Sequence, residues 1–572
     1  MDPVPEEAIH HERKIRIICI GAGASGLCLA YKLQRSFRRF TLMVYEKNAE
    51  ISGTWYENRY PGCACDIPAH NYTYSFEPKP DWSKLYASSH EIKGYFNDFS
   101  SKYGLIEYIK IRHKVNEAQW REAEGTWKVA IEDLDSGQIF DDYCDILINA
   151  GGYLNHWQWP DVPGLHEYEG QLLHSANWDV GVELRGKKVG LIGNGSSAVQ
   201  ILPQIQPEVD CVTNFIRSPV WIVPTIGDSQ HTYTRHEIEN FVTNPRALMS
   251  VRKKNETVTN SIFSVYLRGS KLQNESKIQL TSDMKGKLRN KTLEDKLIPA
   301  FSVGCRRLTP DAGYLVALTK ENVHVVHQGV ASFTTGGCKS DDGTEHLLDI
   351  IICATGFNTS FRPRFPIVGL DGKNLQDVWT EQPKSYLGIA ISGFPNLLTL
   401  LGPNSPVGNG PTLSAIEAQT DHILQMIDRY QTENIHSFYP KAEAVDDFAA
   451  HVRDFMQKSV WTEDCRSGYK NHSVDDRIPT LWPGSTLHCL EALRELRADD
   501  WDIRYNGNRF AWLGNGISQT EFDATSDLAY YIRDRDDSPF ASRRRRREVL
   551  SRSGTQPPRE LHKTHRPTDV SF

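Results

Sequence analysis

"KIRIICIGAGASGLCLAYKL", Lys14 to Leu33, joins a continuous apolar run to Gly21-x-Gly23-x-x-Gly26 and then to an apolar pattern of helical period. Strand, phosphate loop and helix follow in that order. The first glycine permits a tight turn, the second lets backbone approach a pyrophosphate, and the third lets helix and strand pack. The helix amino terminus attracts the phosphate charge. The next apolar stretch, "FTLMVYEK", ends at Glu46, 20 residues beyond Gly26. There a carboxylate accepts hydrogen bonds from both hydroxyls of an unphosphorylated ribose. This first site suits FAD or NAD.

The same order returns at "GKKVGLIGNGSSAVQILPQI", Gly186 to Ile205, with Gly193-x-Gly195-x-x-Ala198, alanine being an accepted third residue. Gly193, Gly195, Ser196 and Ser197 are candidate cofactor contacts. The following strand, in "DCVTNFIRSPVW", offers Arg217 and Ser218 near its end in place of an acid. An acid would repel a 2′-phosphate, whereas a guanidinium grips one in a bidentate fork. The second site therefore suits NADP, the alternative for Arg217 being a surface arginine at a strand end. A third apolar run, "HLLDIIICATGFNTSF", His346 to Phe361, reads as a long buried strand with Asp349 and the turn Ala354 to Phe357, and is expected to return the chain to the first sheet. The pattern predicts an α/β fold of two Rossmann-like dinucleotide-binding domains, the FAD domain split in sequence around an inserted NADP domain.

At 572 residues the chain is too long for one hydrophobic core. The expected division is an amino-terminal extension (1–13), the first part of the FAD domain with a linker (14–180), the NADP domain (181–344) with a helical insertion over 227–299, the second part of the FAD domain (345–540), and a basic tail (541–572). A composition of 39% hydrophobic and 24% charged residues with net charge -7 fits a soluble enzyme rather than a nucleic-acid binder. No apolar run approaches the ~18 residues that cross a bilayer, and "MDPVPEEAIHHERK" lacks the apolar centre of a signal peptide, so an intracellular, cytoplasmic protein is expected. Eleven cysteines without a CxxC pair argue against a secreted disulfide framework and a structural zinc site, and a reducing compartment without a metal is the simplest reading. Cys63 and Cys65 in "PGCACD" read as reduced thiols in a loop. Arg543 to Arg547 open a polar tail read as disordered, and no role is assigned to it.

Between the cofactor motifs, "ISGTWYENRYPGCACDIPAHNYTYSF", Ile51 to Phe76, is dense in aromatics, glycine and proline. Such segments line a flat conjugated cofactor. Thr54, Trp55 and Tyr72 within it, and Val115 beyond it, are candidate cofactor contacts. Asp66, between Cys65 and Ile67, is poorly placed for a charge without a partner, and composition fits a functional role or a loop cap equally. Its partner is sought in "FSVGCRRLTPDAGYL", where Arg306 and Arg307 are adjacent. In extended backbone neighbours point opposite ways, so one guanidinium faces NADP and the other the flavin. An arginine pair is also a common surface feature.

These motifs resemble those of the Baeyer-Villiger monooxygenases, and more narrowly the fungal flavin-dependent members associated with secondary metabolism. The family's linker fingerprint, F-x-G-x-x-x-H-x-x-x-W-[PD], is met in "YEGQLLHSANWD" by Tyr168, Gly170, His174, Trp178 and Asp179, with Tyr for Phe. A second family pattern, [AG]-G-x-W-x-x-x-x-[FY]-P-[GM]-x-x-x-D, is met at Gly53, Trp55, Tyr60, Pro61, Gly62 and Asp66, with Ser52 for Ala or Gly. Similarity covers residues 14 to 535 or so, including "GFPNLLTLLGPNSP".

The resemblance implies that NADPH reduces FAD, that reduced flavin activates O2, and that one oxygen atom enters beside a ketone carbonyl to give an ester or lactone. The catalytic candidates are Arg307, which stabilises the developing negative charge, and Asp66, which holds Arg307 and contacts cofactor. Arg217 and Arg306 serve NADP, Arg306 standing where a lysine is more usual. His174 is expected to help domain movement rather than transfer protons. The partners are a ketone, expected to be a polyketide or terpenoid intermediate, and O2, with no nucleic acid and no membrane-spanning segment. "SPVGNGPTLSAIEAQ" and "VWTEDCRSGYKN" are candidate pocket walls. An N- or S-oxygenating flavin enzyme is the alternative, although its fingerprint usually ends in Tyr or Phe where this chain has Trp178. A disulfide reductase would need a cysteine spacing other than Cys63-x-Cys65, and a flavin-binding sensor or scaffold is the non-enzyme alternative.

Overall fold

The strand Ile15–Ile20 lies at the centre of a five-stranded parallel sheet, with Phe40–Tyr45 and then Ile109–Lys110 on one side and Ile146–Asn149 and then Leu397–Thr399 on the other. Parallel strands covered on both faces need near-continuous apolar sequence, which "IRIICI" and "ILIN" supply. The helix Ala24–Ser36 buries Leu27, Ala30 and Leu33 and stops where Phe37 turns extended. This architecture comes from a computed structural model that describes residues 7–227, 231–410, 412–471 and 477–534. The arginine-rich run lies outside those residues.

A second five-stranded parallel sheet repeats the plan. Lys188–Ile192 sits at its centre between Cys211–Phe215 and Ile350–Cys353, with Val323–Val326 and Gln171–His174 at the edges. Two expectations need correction here. The run Ile350–Cys353 does not return to the first sheet; it pairs with Lys188–Ile192, and the missing Cβ of Gly190 leaves room for Leu348 and Ile351 beside it. The return is made by Leu397–Thr399. The linker fingerprint also belongs to the second sheet, because Gln171–His174 pairs with Ile350–Cys353. Apolar content requires a buried strand but is silent on which of two parallel sheets receives it.

A four-stranded sheet formed by Ile367–Val368, His113–Arg121, Thr126–Asp133 and Ile139–Cys144 packs its apolar face, including Trp127 and Ile131, against Ile18, Tyr45 and Leu147 of the first sheet. The helices Arg235–Thr243, Pro245–Ser261, Lys271–Leu288 and Lys291–Leu297 follow the second sheet's early strands. Their starts are written locally: Thr234 and Glu237 form a capping box, while Asn244, Ser270 and Asn290 each accept a first-turn N–H. Buried Gln273 donates to the carbonyls of Val265 and Val303, both at 2.7 Å, locking Lys271–Leu288 to the segment that leads into the arginine pair. Arg252 donates to the carbonyls of His70 and Tyr74, docking the insertion on the aromatic segment. No described helix is long and apolar enough to cross a membrane.

Two compact units divide the chain, His11–Trp512 being the larger. In the smaller, Ile9 N–H donates to Ile517 O at 3.0 Å and Asn515 N–H to Glu7 O at 2.9 Å.

Candidate active site

At the first glycine loop, a Cβ on Gly26 would lie 2.1 Å from Gly21 O, so helix and strand meet only because none is there. The helix that follows has no side-chain cap and no acid in its first turn, leaving its N–H groups for an anion. Glu46 is 4% exposed, and its two carboxylate oxygens accept the N–H groups of Ala22 and Asn48, each at 2.8 Å. Burial raises its pKa. Each oxygen keeps a further lone pair, which suits a ribose diol.

Across this loop lies the turn at Ser52 and Gly53, with φ of +88° and +49°, where Ser52 N–H donates to Ala22 O at 3.0 Å. A positive φ is free of strain only for glycine, so Ser52 holds its conformation at the cost that any Cβ brings there. Thr54 starts the short helix Thr54–Glu57 and is exposed, whereas Trp55 is buried and donates to the Tyr72 hydroxyl at 3.2 Å. Val115 is buried two residues beyond His113, whose N–H donates to Glu46 O, and lies at a register shift in its strand. Thr54, Trp55 and Tyr72 thus belong to the aromatic wall, and Val115 to the Glu46 end.

The second loop has the same features. The helix Ser196–Ile205 starts uncapped after Gly195, where an added Cβ would meet open space. Asn194 donates to Ser218 O at 2.9 Å, fixing the Arg217–Ser218 turn beside the loop. Arg306 donates to Ser218 Oγ at 3.0 Å and Pro219 O at 2.9 Å. Burial, with Arg217 nearby, pulls the Arg306 guanidinium down to about 10. Ser196 Oγ instead meets Thr309 Oγ1 at 3.1 Å. The helix of this second loop is tied to the aromatic segment through Gln200, which accepts from the Tyr60 hydroxyl at 2.8 Å and donates to Ala64 O at 3.0 Å.

Arg307 points the other way from Arg306. Its Nε and Nη2 each lie 2.7 Å from Asp66 Oδ2, and its Nη1 donates to Val407 O at 2.9 Å. Asp66 raises the guanidinium pKa, outweighing desolvation. Both residues line a cavity of about 520 Å³. Its walls are largely apolar, with Ile262, Tyr266, Leu272 and Leu280 from the helical insertion and Val303 and Leu308 flanking the arginine pair. Gly408, Asn409 and Gly410 close one side. Burial keeps the Tyr153 and Tyr469 hydroxyls near Arg307 protonated, the former pushed up to about 12.

The linker fingerprint is built into the second sheet. A Cβ on Gly170 would fall 2.2 Å from the Tyr168 hydroxyl, which itself donates to Leu348 O at 3.0 Å. His174 is fully buried and stacks on Trp157, with ring centroids 4.7 Å apart. Its Nδ1 accepts from Ala176 N–H at 3.1 Å, which leaves the neutral ring's proton on Nε2, 3.3 Å from Thr355 Oγ1. Burial lowers its pKa to about 4. Trp178 is buried, and Asp179 accepts from Gly181 N–H at 2.8 Å.

Sequence reading missed a disulfide between Cys305 and Cys465, whose Cα atoms lie 6.4 Å apart. This corrects the expectation of fully reduced cysteines, although Cys63 and Cys65 are free, buried thiols with raised pKa values. It also brings "VWTEDCRSGYKN", with Tyr469, to the arginine pair. No spacing rule signals a link between cysteines 160 residues apart.

Two uncapped glycine-loop helices, one answered by a carboxylate and one by arginines, fit FAD and NADP respectively, and they define a flavoprotein that takes electrons from a nicotinamide cofactor. Residues 19–89 match the family described as NAD(P)-binding Rossmann-like domain. The chain is 38% identical to the FAD-binding monooxygenase tazF of Aspergillus terreus over 538 residues, 91% of this chain and 95% of that one. It is 37% identical to the FAD-binding monooxygenase stcW of Emericella nidulans, over 88% of this chain and 86% of that one. Among solved structures, cyclohexanone monooxygenase from Rhodococcus sp. Phi1 bound to NADP+ superposes with a TM-score of 0.75 at 25% identity, covering 86% of this chain and all of that one. The chain belongs to the FAD-binding monooxygenase family, and it is an FAD- and NADP-dependent monooxygenase of the Baeyer-Villiger type.

Proposed function

We propose that this enzyme inserts one atom of O2 beside the carbonyl of a bulky ketone, a fungal polyketide or terpenoid intermediate, to give an ester or lactone. One observation carries the reading: the Arg307–Asp66 ion pair sits at the edge of a largely apolar cavity of about 520 Å³. The volume suits a molecule of small-drug size. Bound FAD supplies electron transfer and oxygen activation, with NADPH as the hydride source.

The protein's part is electrostatic and positional. A guanidinium has five N–H donors; those on Nε, Nη2 and Nη1 that face Asp66 and Val407 account for three. Tyr469 also hydrogen-bonds the guanidinium, and the N–H that remains is offered to negative charge that builds on the carbonyl oxygen as it is attacked. Asp66 is a positioning residue that fixes the plane of this fork, and lysine lacks that geometry. The apolar walls keep water away and strengthen the interaction. Arg217, Ser218 and Arg306 receive the 2′-phosphate of NADPH, Gly193 to Ser197 its pyrophosphate, and Gly21 to Gly26 with Glu46 the corresponding parts of FAD. Thr54, Trp55, Tyr72 and Val115 complete the flavin site.

The test is a panel of bulky cyclic and aryl ketones, with a sulfide and a tertiary amine, given to the yellow holoenzyme with NADPH. Ester or lactone should be the main coupled product. Rapid sulfide or amine oxidation with no ketone product would favour N- or S-oxygenation and contradict the proposal.

A further inference from the structure

Arg466 directly follows Cys465, as Arg306 directly follows Cys305, and the disulfide joins the two cysteines. A second tie runs parallel to it, Ser302 N–H donating to Glu463 Oε2 at 2.8 Å. The backbone of Glu463 is engaged as well, accepting from Lys470 Nζ at 2.6 Å. A loop from the carboxyl-terminal part of the chain is thereby pinned to the segment carrying the arginine pair.

The consequence is an accumulation of positive charge. Arg306 binds neutral oxygens of Ser218 and Pro219, and Arg217 is the residue before that serine. Arg466 is exposed and lies within electrostatic reach of Arg217, making the Arg217 guanidinium easier to deprotonate after burial has already done so. The carboxylate that opposes this effect, Asp341, accepts from Gly329 N–H at 2.8 Å. Like charges so gathered repel, and an untethered loop would carry Arg466 away. The disulfide holds it there, and a phosphate dianion would turn repulsion into attraction.

We propose that Arg466 is a third cation of the 2′-phosphate site, a specificity-determining residue delivered by the Cys305–Cys465 disulfide. The inference rests on the assignment of Arg217 and Arg306 to that phosphate. It explains why a cross-link spanning 160 residues ends beside each arginine. NADPH is then distinguished from NADH by arginines from three separate stretches of the sequence, at 217, 306 and 466.

The experiment is calorimetric titration of the oxidised, FAD-loaded protein with adenosine 2′,5′-bisphosphate and, separately, with 5′-AMP, which lacks the 2′-phosphate. Arg466→Ala should weaken the bisphosphate about tenfold, the usual size for a charged hydrogen bond, and leave 5′-AMP unchanged. Arg466→Lys should recover part of the loss by restoring charge. Cys465→Ser, which keeps Arg466 but removes the covalent tie and leaves the Ser302–Glu463 hydrogen bond alone to hold its loop, should weaken the bisphosphate selectively. An Arg466→Ala protein that binds the bisphosphate normally, or that loses both ligands equally, overturns the proposal while the Arg217 assignment stands. A wild-type protein with no preference for the bisphosphate overturns both.

Discussion

Arg307→Ala separates hydride transfer from oxygen insertion. The substitution removes three bonds at 2.7 to 2.9 Å, the contact to Tyr469, and the N–H left for developing charge. Loss of one such donor slows reaction about 10²-fold to 10³-fold, or roughly 3–4 kcal/mol. It also leaves Asp66, one fifth exposed, as an unpaired anion on the cavity wall. Repulsion of another negative charge at ~4 Å with an effective dielectric near 20 adds up to about 4 kcal/mol. Ester formation should therefore fall by at least about 10²-fold, and Asp66→Asn in the Arg307→Ala background should recover part of the loss. Anaerobic stopped-flow with NADPH should find flavin reduction within about threefold of wild type. With air and ketone, NADPH should then be consumed with hydrogen peroxide in place of ester. Ester formed at near wild-type rate by Arg307→Ala would refute the electrostatic role, and a double variant no faster than the single would refute the repulsion.

Other perturbations follow from the same geometry. Arg217→Ala should raise the KM for NADPH about tenfold or more while changing NADH use little, and equal effects in steady-state assays would sink the 2′-phosphate assignment. Gly26→Ala would put a Cβ 2.1 Å from Gly21 O, so the protein should purify colourless and less stable, as flavin absorbance and thermal unfolding will report. His174, near 4 when folded against about 6.5 unfolded, binds its proton more readily in the unfolded chain; its contribution is intact above about 6.5 and is lost as pH falls towards 4, roughly 3 kcal/mol in all. His174→Gln should flatten the fall in urea midpoint across that window, where His70, also near 4, leaves a residual slope. Superimposable pH profiles would contradict the burial argument.

Much of the site was legible because its chemistry is local. The glycine spacings, Glu46 at a strand end and the absence of an acid before Arg217 follow from what phosphate and ribose require of nearby backbone. The helix starts at Thr234, Asn244, Ser270 and Asn290 were equally open to reading, since each cap bonds the residue three positions on. The discomfort of a carboxylate between Cys65 and Ile67 pointed to a partner in the Arg306–Arg307 pair, and the family resemblance singled out Arg307, with which Asp66 does pair. The destination of Ile350–Cys353 was not, because an apolar strand satisfies either parallel sheet. Val407 acts through a carbonyl that every residue possesses, so no side-chain pattern marks it. Tyr469 and the Cys305–Cys465 link arise from chain convergence over more than a hundred residues, beyond any helical or strand period.

The most direct test supplies 18O2, NADPH and a bulky ketone to the FAD-loaded enzyme and analyses product by mass spectrometry. One 18O atom per ester or lactone, with one NADPH consumed for each, is the predicted result. NADPH oxidation that yields only labelled peroxide across the ketone panel would contradict the assignment of this site to oxygen insertion beside a carbonyl.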